Sequence, residues 1–222
     1  MSYKLKFLTN TKKGLSRVKN QDRILTLDKN TFYFFALFDG VSSYSNSHEL
    51  ISEVKKKIQL KINEIDAEGN NIEKVLYQSN KESSKPFVRG ASTLSALFIS
   101  KLNNVVKFVN IGDSRIYVFN NQFLEQVTKD DSVELGSNII TKYLGDSELT
   151  LDDFKSTRLE QGYNFLLCTD GFYSLMEENL KEYFNTLNYK YIKNIKRRIS
   201  YLQRRENKDD STYIIIKNEI SI

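Results

Sequence analysis

Residues 32–40 read Phe-Tyr-Phe-Phe-Ala-Leu-Phe-Asp-Gly, an unbroken apolar run that ends in an aspartate and a glycine. A continuous apolar segment of this length is typical of a strand that is buried on both of its faces. The pattern then changes, because isoleucine and valine recur at spacings of three and four between residues 51 and 65. That spacing predicts the apolar stripe of a helix. The early part of the chain therefore contains a buried strand followed by an amphipathic helix.

Short apolar segments elsewhere predict further strands with turn residues between them. We expect these strands at residues 3–8, 24–27, 91–100, 105–111, 115–119, 123–127, 149–159, 163–168 and 213–217. Two more helices are expected at 72–80 and 187–202, with a loop at 81–89. Asparagine pairs at 103–104 and 120–121 fit tight hairpins, so residues 91–127 are predicted to form an antiparallel meander. Helices segregated from antiparallel strands predict an α+β fold.

The composition bounds the class of protein. The chain has 222 residues, of which 27% are charged and 40% hydrophobic, so it can bury a real core. We expect one domain spanning residues 1–222. The one cysteine, Cys168, allows no intrachain disulfide, which fits a reducing compartment. We find neither a signal-peptide pattern nor an apolar run near the ~20 residues that span a bilayer, and therefore expect a cytoplasmic protein without a membrane partner.

Aspartates lie at the ends of the predicted strands. Asp39, Asp113 and Asp170 each follow an apolar segment, Asp209 precedes the last one, and Asp22 precedes an early one. A buried carboxylate is costly unless it is paired or bound to a metal. Oxygen ligands suit the hard cations magnesium and manganese. A single Asp-Gly pair is more often only a turn, so it is the number and the positions of these aspartates that indicate a divalent metal site.

Several short motifs follow one another in a specific order. They are residues 17–22 (RVKNQD), 38–43 (FDGVSS), 90–93 (GAST), 110–115 (NIGDSR), 127–130 (VTKD), 140–145 (ITKYLG), 167–171 (LCTDG) and 209–212 (DDST). This order resembles the type-2C family of metal-dependent serine/threonine protein phosphatases, and the resemblance covers nearly the whole chain. It implies two packed antiparallel sheets flanked by helix pairs. The segment between Asp130 and Ile140 is short, which implies a reduced flap beside the active site.

The resemblance also implies roles for the aspartates. Asp39 would bridge two divalent cations, magnesium or manganese, and the Gly40 carbonyl would bind one of them. Asp170 and Asp209 would complete the second metal position. Asp113 would belong to a third and looser position.

The resemblance implies hydrolysis of phosphoserine and phosphothreonine esters on proteins. A water activated between two cations would attack the ester directly, with Asp39, Asp170 and Arg17 as the catalytic residues. Arg17 would also bind the substrate phosphate, because its planar fork suits phosphate oxygens. No phosphoenzyme is needed, so Cys168 is expected to be a core thiol. We expect the one histidine, His48, to open the first helix in an exposed or capping role.

The chain departs from the family pattern in ways that support an alternative function. Asp22 and Gln21 would lie behind the metal ligands, but Gln21 stands where the family has glutamate, which removes a negative charge. Ser42 and Ser43 replace two glycines. Asp210 stands where the family often has asparagine and remains a second candidate beside Asp209. The alternative is a weak or inactive pseudophosphatase that acts as a phosphoprotein-binding module.

A second alternative, from a different class, is nucleic-acid binding. Basic and tyrosine side chains crowd the predicted last helix, and such a stripe can follow phosphates. They are Lys190, Lys193, Lys196, Arg197, Arg198, Arg204 and Arg205, with Tyr189, Tyr191 and Tyr201. We favour a solvated helix face opposite the apolar stripe and expect no nucleic-acid partner. The expected partner is a phosphorylated protein, with a serine/threonine kinase suggested by the family alone, and the chain is expected to be a monomer.

Overall fold

The computed structural model describes residues 5–84, 89–133, 139–204 and 207–218. Within these ranges the chain forms ten strands and five α-helices. The strands are β1 (Leu5–Lys12), β2 (Arg23–Asp28), β3 (Phe32–Phe38), β4 (Leu94–Ser100), β5 (Val106–Ile111), β6 (Arg115–Phe119), β7 (Leu124–Gln126), β8 (Thr157–Leu159), β9 (Asn164–Cys168) and β10 (Ser211–Asn218). The helices are α1 (Ser47–Lys61), α2 (Ile72–Ser84), α3 (Asp170–Glu178), α4 (Leu180–Leu187) and α5 (Ile192–Leu202).

The strands form two antiparallel sheets that pack face to face. The first sheet has the order β1-β10-β9-β6-β7 and the second the order β2-β3-β4-β5-β8. Helices α1 and α2 cover the outer face of the second sheet, and α3, α4 and α5 cover the outer face of the first. The predicted α+β fold of two packed sheets between helical layers is confirmed, with three short helices rather than a pair on one side.

Strand β3 shows why an unbroken apolar run is needed at the centre of this arrangement. Its even-numbered residues, from Phe32 to Phe38, pack with apolar side chains of α1 and α2. Its odd-numbered residues, Tyr33, Phe35 and Leu37, pack against the other sheet. Successive side chains of a strand point to opposite faces, so a strand with helices on one side and a second sheet on the other must be apolar throughout.

The first helix confirms the predicted stripe, and the second is longer than predicted. The buried face of α1 includes Leu50, Val54 and Ile58. Helix α2 continues to Ser84, so the predicted loop at 81–89 begins later, and residues 85–88 lie outside the described ranges.

Two sequence-based predictions of strands were wrong. Residues 91–127 do not form one meander, because β4 and β5 pair in the second sheet whereas β6 and β7 pair in the first. The chain crosses between the sheets after β5, where Gly112 has a φ of 93°, and both predicted asparagine hairpins are present on either side of the crossing. Residues 149–159 contain only β8, because a capping box between Thr150 and Asp153 starts a 3-10 turn at Leu151–Phe154.

The predicted helix at 187–202 is also corrected. Helix α4 ends at Leu187 and α5 begins at Ile192. The side-chain amide of Asn188 donates to the Phe184 carbonyl at 3.0 Å, which satisfies a carbonyl of the last turn of α4 and helps to end it. The sequence-based reading missed α3 and most of α4 because both are too short for a sustained 3.6-residue pattern.

No helix in the described ranges combines the length and the apolar character required to cross a membrane. The predicted flap is described only at its base. Ser132 and Ile140 form an isolated bridge, and the Val133 amide donates to the Ile139 carbonyl at 3.1 Å. Residues 134–138 lie outside the described ranges, so the predicted reduction of the flap stays a prediction.

Candidate active site

A cleft of about 240 Å³ opens at the edge where the two sheets meet. Four aspartates and one arginine line it: the aspartates come from segments next to strand ends, Asp170 as the first residue of α3, and Arg17 comes from the loop between β1 and β2. The lining residues are Arg17, Asp39, Gly40, Val41, Ser42, Ser43, Thr93, Asp113, Ile140, Asp170 and Asp209. The structure thus brings together six predicted site residues that are up to 192 positions apart in the chain.

Asp39 lies directly after the buried strand β3, and its backbone is fixed on both sides by Thr93. The Asp39 amide donates to Thr93 Oγ1 at 3.0 Å, and the Thr93 amide donates to the Asp39 carbonyl at 2.9 Å. The next residue, Gly40, forms an isolated antiparallel bridge with Ser92. The bonds of this bridge are made by the neighbours of Gly40, including the Val41 amide. The Gly40 carbonyl is therefore not used by strand pairing and remains available as an oxygen ligand.

Asp39 occupies the middle of a row of carboxylates. Burial, and after it the negative charges of Asp22 and Asp170, raise the pKa of Asp39 well above that of an exposed aspartate. The pKa of Asp170 is raised by burial and then by Asp209. Burial also raises the pKa of Asp22 to about 7. Each carboxyl group thus resists ionisation beside its neighbours, which is the electrostatic state that a divalent cation relieves.

Asp22 lies behind this row rather than in the cleft. Its side chain is buried, and one oxygen accepts a hydrogen bond from Thr169 Oγ1 at 3.2 Å. Its other oxygen, Oδ1, has no hydrogen-bond donor among the described residues. Gln21 is likewise absent from the lining of the cleft. Its Cβ lies against Gly40, since a side chain at position 40 would come within 2.9 Å of it. Neither residue is part of the cleft lining, and their supporting role stays a prediction.

Asp209 closes the row at the open side of the cleft, where it pairs with Arg17. Arg17 Nε donates to Asp209 Oδ1 and Arg17 Nη2 donates to Asp209 Oδ2, both at 2.5 Å. The third nitrogen, Nη1, donates to Ser42 Oγ at 2.8 Å. About one third of each side chain of the pair is exposed to solvent. Arg17 is thus the cation of the cleft lining, and it already has partners.

The neighbouring aspartate, Asp210, has a different task. Its Oδ1 accepts from the Gly14 amide at 2.9 Å and its Oδ2 accepts from the Gln21 amide at 2.8 Å. The side chain is buried and is not part of the cleft lining. Asp210 therefore connects the loop between β1 and β2 to the start of β10. Of the two adjacent candidates, the geometry places Asp209 in the cleft and Asp210 in a structural clamp.

Asp113 reaches the cleft through the turn that crosses between the sheets. The Gly112 amide donates to Asp131 Oδ2 at 3.0 Å, and the Asp131 amide donates back to the Gly112 carbonyl at 3.0 Å. Burial, and after it the charge of Asp170, raise the pKa of Asp113 to about 6. The adjacent Arg115 points elsewhere, since it binds Asp130 at 2.8 Å. In this motif the aspartate belongs to the cleft and the arginine to the support of the sheet.

The residues of the cleft fit divalent cations by their chemistry. The available donors are carboxylate oxygens and a backbone carbonyl, the ligand set that magnesium and manganese prefer. Within the described ranges, no group of three acidic, histidine or cysteine side chains is arranged as a ready-made metal cage. Cations of this kind keep several waters and need only one or two carboxylates each, and Asp209 is held by Arg17. The donor set therefore suits hydrated cations.

Two other predictions about single residues are settled by position. Cys168 is fully buried on β9, and burial raises the pKa of its thiol well above the usual value, so its predicted role as a core thiol is confirmed. His48 lies at the start of α1, as predicted, and outside the cleft lining, but it is half-buried rather than exposed. Burial and the nearby Arg23 lower the pKa of His48. The sequence-based prediction overlooked Ile140 as a lining residue, because a single half-buried apolar side chain outside any regular strand or helix carries no signal of its own.

Comparison with known proteins identifies the family of this chain. Residues 15–210 match the family Protein phosphatase 2C. The chain belongs to this family. No curated protein sequence matches it significantly, so the relationship rests on the family match. The predicted resemblance is confirmed, and so is the predicted enzyme class of serine/threonine protein phosphatase at the level of the family.

Solved structures of similar fold agree with the family assignment. PppA, a regulatory component of the type VI secretion system of Pseudomonas aeruginosa, has a TM-score of 0.78 at 18% identity, covering 98% of this chain and 99% of that one. The phosphatase MsPP of Mycobacterium smegmatis, in complex with cacodylate, has a TM-score of 0.77 at 19% identity, with 98% and 99% covered. The catalytic domain of PstP of Mycobacterium tuberculosis, in complex with two manganese ions, has a TM-score of 0.73 at 20% identity, with 96% and 98% covered. These likenesses show the shared fold.

The basic residues of α5 lie apart from the cleft of this phosphatase 2C chain. The apolar side chains Ile195 and Ile199 are buried against the first sheet. Arg198 lies on another face of the helix, where it pairs with Glu182 at 2.7 Å and lies over the ring of Tyr201. This arrangement is that of a solvated helix face, and the expected absence of a nucleic-acid partner stays a prediction.

Proposed function

We propose that this chain is an active metal-dependent phosphatase that hydrolyses phosphoserine and phosphothreonine esters on proteins. One observation carries the proposal: Asp39, Asp113, Asp170 and Asp209 line one cleft together with Arg17. A cleft with this set of charges can hold cations and, next to them, a phosphate group. A clamp or a turn would not need four carboxylates in one cleft, and burial and neighbouring negative charges raise the pKa of three of them, Asp39, Asp113 and Asp170.

In this proposal the cleft would hold two cations, with a third near Asp113. Asp39 and the Gly40 carbonyl would hold one, and Asp39, Asp170 and Asp209 the other. The cations would supply an activated water and neutralise charge on the phosphoryl group. Thr93 holds the backbone of Asp39 in place, so the side chain starts from a fixed position in the cleft.

Arg17 is the residue of this chain that would bind the substrate phosphate. Its guanidinium lies at the open side of the cleft, partly exposed, and a planar fork of donors suits phosphate oxygens. Asp22 and Gln21 would keep the row of carboxylates in position from behind. The substrate would be a phosphorylated protein, modified earlier by a serine/threonine kinase. We further propose one catalytic domain over residues 1–222, acting as a cytoplasmic monomer.

The alternative is a pseudophosphatase that binds a phosphoprotein without turnover. One observation favours it, since Arg17 binds both oxygens of Asp209 and so occupies a proposed metal ligand and the proposed phosphate ligand at once. The absence of a glutamate at Gln21 removes a further negative charge from the site. The two functions differ in turnover and not in fold.

The deciding experiment measures phosphate release from a phosphothreonine peptide with manganese, with magnesium and with a chelator. Asp39→Asn tests the site, and Asp152→Asn, which changes an exposed aspartate on the 3-10 turn away from the cleft, is the matched control. We expect manganese-dependent release that Asp39→Asn abolishes and Asp152→Asn leaves unchanged. Manganese binding by a folded protein without any release would select the pseudophosphatase.

A further inference from the structure

The guanidinium of Arg17 is held at all three of its nitrogens. Asp209 takes Nε and Nη2, and Ser42 takes Nη1. The two partners come from different parts of the fold, since Asp209 precedes β10 whereas Ser42 follows the Asp39-Gly40 turn. Arg17 itself lies on the loop between β1 and β2. Its position over the cleft is therefore set by two independent contacts.

The hydroxyl of Ser42 lies on a turn that is well fixed. The Val41 amide before it donates to the Ala91 carbonyl at 3.0 Å. The Val41 carbonyl accepts from the Tyr44 amide at 3.1 Å and from Ser47 Oγ at 2.9 Å. Because the turn is tied to the segment that precedes β4 and to the first residue of α1, Ser42 offers Arg17 an acceptor at a constant place. A glycine at this position, as in the family pattern, would offer no such acceptor.

The carboxylate of Asp209 cannot keep both of its hydrogen bonds with Arg17 while it also binds a cation. Both of its carboxylate oxygens accept from Arg17, and Oδ1 also accepts from the Asp210 amide at 2.7 Å. When Asp209 turns toward a cation, Arg17 loses two of its three hydrogen bonds. Ser42 is then the remaining protein partner that keeps the guanidinium beside the cleft. A long arginine side chain without a partner spreads over many rotamers, and restricting it on binding costs conformational entropy.

We propose that Ser42 is a positioning residue, which keeps Arg17 over the cleft for the substrate phosphate once Asp209 is engaged by a cation. The proposal rests on the function proposed above and deepens it. It assigns a role to one of the two serines by which this chain departs from the family. Ser42 acts through Arg17 and not on the cations, so it should alter phosphate affinity and leave metal affinity unchanged.

The test compares Ser42→Ala, which removes the hydroxyl, with Ser42→Thr, which keeps one. Ser45→Ala is the matched control, because Ser45 is an exposed serine of the same loop, and within the described ranges the hydrogen-bond partner of its hydroxyl is the neighbouring Asn46. Titration calorimetry with inorganic phosphate in the presence of magnesium measures the affinity for phosphate, and so tests the inference without turnover. Titration with manganese alone measures the affinity of the metal site for manganese. Steady-state kinetics on the phosphothreonine peptide separate KM from kcat.

We expect Ser42→Ala to weaken phosphate binding about two- to fivefold, since one hydrogen bond at an exposed site makes a modest net contribution. KM should rise by a similar factor with kcat nearly constant. Manganese affinity should not change, Ser42→Thr should restore phosphate affinity, and Ser45→Ala should behave as wild type.

Three results would overturn the inference. They are unchanged phosphate affinity in Ser42→Ala, an equal loss in Ser45→Ala, and a loss of manganese affinity in Ser42→Ala. A wild-type protein that binds phosphate without hydrolysing the peptide would refute the proposed activity, while the phosphate titrations would still decide the role of Ser42. A wild-type protein that binds no phosphate would refute both.

Discussion

Strand β3 and the two residues after it are opposite kinds of structure joined by one peptide bond. From Phe32 to Phe38, every side chain is apolar and buried, with a neighbouring layer on each face. At Asp39 the chain places a carboxylate among others of the same charge, where burial raises its pKa. The strand lowers the free energy of the fold, and the aspartate raises it. This contrast teaches that the cleft is a region where stability is given up for a chemical purpose, on a frame rigid enough to tolerate it.

The largest expected effect lies on the apolar side of this contrast. Phe34→Ala should lower the free energy of unfolding by about 3–5 kcal/mol, because a fully buried phenylalanine leaves a cavity between β3 and the helices. Chemical denaturation with a chelator present measures the change. Phe7→Ala is the control, since Phe7 is 41% exposed although its ring contacts Phe35. The contrast would be lost if both variants were equally destabilised.

The second prediction separates two adjacent aspartates that belong to the two kinds of region. Asp210→Ala should lower the free energy of unfolding by about 2–4 kcal/mol, because two backbone amides lose a charged acceptor. Asp209→Ala should change the stability of the metal-free protein little and should weaken manganese binding. Denaturation and calorimetry on both variants give the comparison. The opposite pattern would make Asp210 the metal ligand and Asp209 the clamp.

These two aspartates also show how far the sequence can be read. An unbroken apolar run predicted β3, and apolar residues spaced by three and four predicted α1, because burial on two faces or along one stripe leaves a direct pattern in the sequence. The order of motifs predicted which aspartates gather in the cleft. Neither signal could distinguish Asp209 from Asp210, because both precede the same strand and only the three-dimensional position of the Gly14 and Gln21 amides decides the matter.

The crossing at Gly112 is a second instance of what the sequence could not show. Strands β4 to β7 alternate with tight turns, and the simplest continuation of such a pattern is one sheet. The positive φ of Gly112 and the contact of that turn with Asp131 send the chain into the other sheet instead. Sheet membership depends on pairing between distant strands, such as β6 with β9, and local periodicity carries no information about it.

The third prediction is that the wild type and Asp39→Asn exchange their order of stability when metal is added. In a chelator, Asp39→Asn should raise the free energy of unfolding by about 1–3 kcal/mol, because a buried carboxylate beside others is replaced by a neutral group of the same shape. With manganese at ~100 times its Kd, the wild type should gain ~2.7 kcal/mol from binding, and the variant should gain little. Thermal unfolding in both conditions tests this, with Asp152→Asn as the control for the loss of one charge. Destabilisation of Asp39→Asn in the chelator would show that Asp39 supports the fold rather than straining it.

The smallest expected effect concerns the one ion pair that relieves the cleft, between Arg17 and Asp209. If the pair stands in for a cation, removing the arginine should help metal binding and harm phosphate binding. Arg17→Gln should tighten manganese binding about two- to fivefold, because a partly exposed pair contributes less than ~1 kcal/mol, and should weaken binding of inorganic phosphate. Calorimetry with each ligand measures the two changes.

Lys19→Gln is the control for this last prediction, since it removes a positive charge two residues away from an exposed position. It should leave both affinities nearly unchanged at physiological salt, where exposed charges are screened. An opposite sign for Arg17→Gln, with manganese bound more weakly, would mean that Arg17 orients Asp209 toward the metal instead of competing for it. In that case the cleft would be preorganised in the metal-free protein. The strain that distinguishes Asp39 from the strand before it would then not extend to the open side of the site.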